Sequence, residues 1–470
     1  MDRVRPAGKW HTDLERQSII LENSVPDDSL NVLNDLIAKA KTAGADAADA
    51  IIADGESTSV TYRLGELEQL EHSEGGDVGL RVLVGKKQAI VSSSDRSSEA
   101  LSELVDRAVA MAKTVPDDEL LGLADPDQLA TDLPDVDMCD PEDISTETLI
   151  EAARTCEDYA RAIKGVTNSE GAQANWGRSR VAIAASNGFQ RAYESTGGSF
   201  SASVLAGDVE SGMETDYEYT SAVYARDFKS PEEVGRTAGE RAVRKLGAHK
   251  VKSGKFPVVF ESRAARGLIS HFLGAINGSA VARGTTFLKD SMDTAVFSDA
   301  IKIIEDPHRS RGMRSKPCDA EGLANKSRHL IDNGVLTTWV LDLRSARKLG
   351  LAPTGHASRG PSSPPSPSVT NVNLVAGEQS PEQLIGDIES GLYVTDAFGQ
   401  GVNGVTGDYS RGVSGFWIEN GELAYPVNEI TIASNLKDMF LAMTAANDLE
   451  LSRGIDSPTV RVDGMSIAGS

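Results

Sequence analysis

Residues 181–195 read VAIAASNGFQRAYES. Asn187-Gly188 stands between two alternating stretches, and this dipeptide is the strongest hairpin signal in the chain. Short alternating strands are predicted around it, from Val166 to Phe228. A helix opens this unit near Ser145. Leu149, Ala153, Cys156, Ala160 and Ile163 are spaced four and three apart along it, which puts Cys156 in a core. A second helix closes the unit. Ser230-Pro231-Glu232-Glu233 supplies a cap, a proline at the first helical position and acids at the positive end, and Gly247 stops it. Antiparallel strands between helices make residues 144–250 a middle α+β unit.

The same pattern precedes it. Leu30, Leu33, Leu36, Ile37 and Ala40 fall at helical spacing, with Gly44 placed to end the helix. Strands follow in ADAIIADG, in TSVTYRL and at Val78, Leu80, Val82 and Val84, ahead of a Gly85-Lys86-Lys87 turn and AIVSSS. A helix over about Ser97–Lys113 completes an N-terminal α+β unit, 29–114. Residues 1–28 show no periodicity and read as a loose arm. Residues 115–143 hold eleven acids, four prolines and no Lys or Arg. They read as a solvated linker, with an acidic docking segment as the alternative. Residues 251–470 are mostly strand and loop. They contain one early helix (about Ser262–Ile276) after the strand FPVVF, a Pro/Ser-rich loop at 353–368 and Gly-rich strands from Gly391 to Gly415. The fold class expected is α+β: N-terminal and middle α+β units followed by a large β-rich C-terminal domain.

The 470 residues suffice for about three domains, and 40% apolar with 25% charged residues is ordinary globular composition. A formal charge of −23 argues against broad binding of nucleic-acid phosphates. Three scattered cysteines are no disulfide framework and suit a reducing compartment. The start has no apolar signal core, and no apolar run approaches the ~18–20 residues of a membrane span. A cytoplasmic protein without membrane contact is expected.

Chemistry-bearing motifs are sparse. No two of the seven histidines lie within twenty residues of each other, so no helix carries a zinc-binding pair. There is no G-x-S-x-G elbow. Cys318 follows the basic stretch HRSRGMRSKP, which could lower a thiol pKa, but no cysteine-protease signature accompanies it. Gly399-x-Gly401-x-x-Gly404 matches a dinucleotide fingerprint without the helix that fingerprint requires, and reads as tight turns. Two basic clusters, 241–255 and 308–316, read as a solvated helix end and an exposed loop, or as docking sites for acidic surfaces or a peptide carboxylate.

Three stretches carry a family resemblance: LIDNGVLTTWVLDLRSARKLGLAPTGHASRG, SVTNVNLVAG and GDYSRGVSGFWIENGELAYPVNEITIASNL. They resemble the TldD/PmbA family, and the last is most similar to its PmbA (TldE) branch. The resemblance spans about residues 30–470 and is strongest over 251–470. It implies a cytoplasmic heteromeric zinc peptidase, made of a TldD-type and a TldE-type chain, acting on small unfolded peptides such as peptide antibiotics and antitoxins. In the TldD branch a strand leads into a helix bearing His-Glu-x-x-x-His, and a later cysteine completes the zinc site. Laid on that motif, this chain has Glu261 at the first histidine, Ser262 at the glutamate and Arg266 at the second histidine. It has no cysteine after Cys318. An arginine repels a cation where imidazole should bind it.

The resemblance therefore implies a non-catalytic subunit, with no cofactor of its own and zinc in a TldD-type partner. Such a chain would help enclose a cleft for unfolded peptides, and a homodimer is plausible when the partner is absent. Strand-and-glycine segments such as 391–416 could offer an edge for peptide strand addition, with Tyr409, Ser410, Arg411, Gly412 and Phe416 as the candidate lining. Two competing readings are a stand-alone metallopeptidase with an unrecognised site and a regulatory binding protein of the gyrase-modulator type.

Overall fold

A computed structural model describes residues 27–210 and 212–469. The loose arm expected at 1–28 lies outside them, apart from Asp27 and Asp28, which already belong to the first helix. Helix α1 (Asp27–Thr42) is followed by strands β1 (Ala47–Arg63), β2 (Glu66–Val84) and β3 (Lys87–Ser93), then helix α2 (Ser98–Thr114). Helix α3 (Thr146–Arg161), strands β4 (Val166–Ala185), β5 (Gln190–Asp208) and β6 (Gly212–Ala222) and helix α4 (Pro231–Arg244) come next. Serine caps start α2, α3 and α4: Ser97, Ser145 and Ser230 accept from the backbone N–H three residues on.

The stretch read as several short strands is three long ones, of 20, 19 and 11 residues. Gly171, Gly177, Gly197 and Gly198 blur the alternation in sequence, but the pairing of β4 with β5 runs through all four, and Gly177 and Gly198 have partners on both sides. The hairpin at Asn187-Gly188 joins β4 to β5. Ala185 donates to Phe189 O at 2.8 Å, and Gly188 takes φ +97°, a conformation that suits glycine.

All six strands form one antiparallel sheet in the order β3-β2-β1-β4-β5-β6. Strand periodicity divides its faces. Ala48, Ala50 and Ile52 of β1 pack under α1 and α2, while Val60 and Tyr62 on the same face pack under α3 and α4. The close fit of α4 on α3 depends on Gly235 and Gly239, where a Cβ would run into the carbonyls of Cys156 and Ala160. On the opposite face, Ile51, Ile183 and Phe189 pack against Cys318 of the C-terminal unit.

That unit contains β7 (Gly254–Phe260), helix α5 (Ser262–Ala275), β8 (Ile303–Asp306), β9 (Arg328–Asp332), β10 (Val335–Leu336), β11 (Ala357–Ser358), β12 (Ser366–Pro367) and β13 (Asn371–Leu374). The chain ends with β14 (Ser390–Phe398), β15 (Asp408–Glu419), β16 (Glu422–Asn435), β17 (Met443–Ala445), β18 (Ile455–Asp456) and β19 (Val460–Ala468). One sheet runs β10-β9-β8-β13-β18. A second pairs only β11 with β12, and a third runs β16-β15-β14-β7-β19-β17, where an additional β16–β19 pairing closes five of its strands on themselves. Phe260, Leu268, Ile269 and Phe272 bury the inner face of α5 against this sheet. No helix of the described residues is long and apolar enough to cross a membrane.

Residues 115–143 lie along the C-terminal unit. Arg347 donates to the carbonyls of Leu120, Gly122 and Leu123, Arg344 pairs with Asp118, and Arg311 pairs with Asp137 at 2.7 Å. The basic side chains of 308–316 are correspondingly engaged inside the molecule, whereas in 241–255 Arg241 and Lys245 are engaged and Arg244, Lys250, Lys252 and Lys255 are exposed, as a solvated helix end would be. Arg309 reaches Asp456, Arg314 donates to Val369 O, and Lys316 donates to Ser358. Cys318 is 7% exposed, and burial pushes its thiol up to about 12, so its basic sequence neighbours do not activate it.

Candidate functional site

Strand β7 delivers the chain into α5, so Glu261, Ser262 and Arg266 stand at a strand-to-helix junction. Glu261 is the N-cap residue, yet its carboxylate makes no cap bond. One oxygen faces Arg241 at 3.4 Å; the other is buried without a hydrogen-bond partner. Burial pushes the Glu261 carboxyl up, against the pull of Arg241 and Arg263. Ser262 is the first residue of the helix. Arg266, one turn on, donates from Nε to Ile455 O at 2.8 Å and from Nη1 to Tyr219 Oη at 3.0 Å.

Four other elements converge on this junction. The alternation of β6 turns Asp216 and Glu218 to one side of the strand and Tyr217 and Tyr219 to the other. The last turn of α4 supplies Arg241, and Lys245 caps it one turn later. Strand β14 supplies Asp396, and the loop before β18 supplies Arg453. Asp216 lies 2.9 Å from Arg263 and 2.7 Å from Lys245. Asp396 lies 2.5 Å from Lys245 and 3.4 Å from Arg263. Glu218 joins Arg241 to Arg453, and Arg453 covers the Tyr219 ring at 3.8 Å. Burial works against ionisation of Asp216, but Arg263 and Lys245 outweigh it and hold this carboxyl below its usual range. Arg263 loses by burial too, and Asp216 and Asp396 more than restore its affinity for the proton.

Five cations and four carboxylates therefore fill the place where a metal would sit by the resemblance. No imidazole or thiolate is among them. Among the described residues no group of three or more His, Cys, Asp or Glu side chains is placed to hold a metal ion. The residues present do not fit zinc, which needs neutral imidazole, thiolate or an uncommitted carboxylate. What the arrangement does chemically is lock: it ties α4, β6, β14, α5 and the β18 loop together.

The strand-addition expectation for 391–416 meets a correction. β15 has β14 and β16 on its two sides from Gly412 to Glu419, and β7 lies beside β14 at Leu392–Val394, so most of this stretch offers no free edge. The candidate lining divides accordingly. Tyr409 and Phe416 are buried; burial pushes the Tyr409 phenol up to about 12, and Arg244 covers the Phe416 ring at 4.3 Å. Gly412 lies against the Phe398 ring. Ser410 is exposed and donates its N–H to Gly401 O at 2.7 Å. Arg411 is fixed by the carbonyls of Phe398 and Ala397, and it lines a cavity of roughly 350 Å³ with His271, Thr286 and Gln400. Burial and the nearby Arg411 both push the His271 imidazole down. The glycines at 399–404 turn the chain from β14 into β15, with no helix after them.

Asp216, Glu218, Arg263, Asp396 and Arg453 are absent from the sequence-based candidates. The alternation of acids and tyrosines in DYEYT (216–220), set beside the basic run at 241–255, was the available signal.

Comparison with known proteins places this geometry. Residues 48–112 match PmbA/TldA metallopeptidase domain 1, residues 139–246 the central domain and residues 253–469 the C-terminal domain. The chain is 38% identical to the metalloprotease PmbA of Escherichia coli O157:H7, over 90% of this chain and 92% of that one. It is also 38% identical to a metalloprotease PmbA homolog of Haemophilus influenzae, over 88% and 90%. Among solved structures, a Bacteroides thetaiotaomicron protein described as a modulator of DNA gyrase superposes with a TM-score of 0.88 at 26% identity, covering 95% of this chain and all of that one. TldE of Thermococcus kodakarensis shares the fold, with a TM-score of 0.82 at 19% identity over 93% of this chain and all of that one. The chain belongs to the PmbA/TldD metallopeptidase family, on its PmbA side.

Proposed function

We propose that this chain is the non-catalytic, PmbA/TldE-type subunit of a cytoplasmic zinc peptidase. It pairs with a TldD-type chain that holds the metal, and it helps enclose a cleft for small unfolded peptides. One observation carries the reading: at the junction of β7 and α5, Arg266 and Arg263 are fixed by Ile455, Tyr219, Asp216 and Asp396, where a metallopeptidase needs donors. Restoring a site there would take at least two new ligands and the removal of paired cations. No hydrolytic step is derived for this chain.

The test is metal analysis and peptide digestion of the purified chain, alone and with a TldD-type partner. The expected result is no stoichiometric zinc and no cleavage alone, with cleavage on adding the partner. Stoichiometric zinc with chelator-sensitive hydrolysis by the lone chain would favour a self-sufficient peptidase. A second reading, regulatory binding without proteolysis, draws on the gyrase-modulator description of the Bacteroides relative. It wins if tight complexes form and no partner ever confers cleavage.

A further inference from the structure

Strand addition needs an unpaired edge, and β2 has one. Strand β3 pairs with β2 only from Val78 to Val84. Among the described residues, β2 from Glu66 to Asp77 has β1 on one side and no strand on the other. Residues Glu66 to Gly75 are all exposed. Such an edge is usually blunted by shortness or charge. This one is long, and it carries apolar surface: Leu67 and Leu70 are 44% and 49% exposed, next to Leu64 of the preceding turn at 48%. Leu67 and Leu70 lie opposite Tyr62 and Val60 of β1, because a bulge at Glu68 resets the register. They therefore share one face of the strand, while Glu66 and Glu71, opposite Arg63 and Ser59, take the other. Glu68 is held by Arg63 at 3.8 Å; Glu66, Glu71 and Glu74 form no ion pair among the described residues.

We infer that this edge, Glu66–Gly75, binds an extended cationic peptide by strand addition. Main-chain groups of β2 would supply the hydrogen bonds. The leucines would take apolar residues on one face, and the glutamates would take Lys or Arg on the other. The fitting ligand alternates apolar and basic residues. Charge decides against a second copy as the occupant. Antiparallel self-pairing would set these glutamates against each other, on a chain of −23. The edge is separated from β6 by β1, β4 and β5, roughly 19 Å at normal strand spacing. The inference does not rest on the reading of α5, and the lone chain suffices to test it.

The experiment is fluorescence anisotropy of a labelled alternating Val/Lys peptide of about ten residues, titrated with the full chain. Two peptide controls are a Val/Glu peptide and a Pro/Lys peptide, which keeps the charge but cannot pair as a strand. Two variants change only exposed side chains: Glu66→Lys with Glu71→Lys, and Leu67→Ser with Leu70→Ser. Circular dichroism and sedimentation confirm that they fold. Saturable Val/Lys binding is expected, at least about tenfold weaker for Pro/Lys and for either variant, with the lysine variant gaining affinity for Val/Glu. The inference is overturned by no saturation up to about 1 mM, by equal binding of Pro/Lys, or by self-association that the serine variant abolishes.

Discussion

Arg266 Nε lies 2.8 Å from the main-chain carbonyl oxygen of Ile455, nearly 190 residues away in sequence. This bond joins the second turn of α5 to β18, and Tyr219 adds a third element through Nη1. A guanidinium reaches both; an imidazole at the same position would be too short. Arg266 is thus a tether between the central and C-terminal parts of the fold.

Replacing Arg266 by His should cost about 1–3 kcal/mol, because a partly buried carbonyl and a tyrosine hydroxyl lose their donor. The urea midpoint reads this directly. Adding Glu261→His and Ser262→Glu recreates the spacing of a zinc motif, yet zinc should stay substoichiometric by elemental analysis. Arg241, Arg263 and Lys245 still crowd the position, and no third ligand follows. One zinc per chain in the triple variant would refute this account of the site.

Asp216 is 4% exposed and neutralises both Lys245 and Arg263. Asp216→Asn leaves Lys245 and Arg263 to share Asp396 alone, so one buried positive charge goes uncompensated, and about 3–5 kcal/mol of stability should go with it. The sign of the pH effect follows from its lowered pKa. The contribution is complete above the unfolded carboxylate value near 3.8 and disappears as pH falls through the lower folded value. The wild type should therefore lose stability below about pH 4 more steeply than the variant. Parallel acid titrations of the two would expose the contrary result.

Glu321 behaves in the opposite sense. Burial, reinforced by Asp319, pushes its carboxyl up to about 8, while its side chain accepts the Leu343 N–H at 2.9 Å. The folded state then holds a proton that the unfolded chain releases near 4.5, so stability is greatest below that value and declines as pH rises to 8. Glu321→Gln keeps the acceptor and removes the charge. It should flatten the slope and raise stability at pH 8 by a few kcal/mol, on the order that shifts of this size imply. Asp319, pushed up to about 6, should leave a residual slope at lower pH. An unchanged slope from urea unfolding across pH 5–8 would count against the buried-acid account.

The three thiols should differ in reactivity. Cys156 and Cys318 are buried, and burial pushes each up to about 12. Cys139 is only partly covered, with its thiol raised mainly by burial. Iodoacetamide at pH 8 should modify Cys139 slowly in the native protein and the other two only after denaturation. Fast native labelling of Cys318, read by mass spectrometry, would revive it as a reactive group.

The local level of this fold was legible in the residues. Periodicity located the helices of the first two units, serines marked the starts of α2, α3 and α4, and Asn187-Gly188 marked the hairpin, because each depends on neighbours within about one turn of chain. The junction of FPVVF and its helix was legible for the same reason. Strand partners are set by contacts between distant residues, so the sequence left two matters to the tertiary structure. It did not say that the Gly-rich strands β14 and β15 are inner strands of their sheet, nor that β2 outruns β3 and keeps an edge that no described strand pairs.

Sequence alone determined that an arginine, Arg266, stands where the family resemblance would put an imidazole and that no cysteine follows Cys318, since residue identity fixes which atoms can donate to a metal. Only the tertiary structure decided what the cations at 241–266 do instead. Their partners, Asp216, Glu218, Asp396 and Ile455, come from three other strands and reach them only when β6, β14 and β18 converge on α5. A charge's consequence depends on what lies within a few ångströms of it, and that distance is a property of the folded chain.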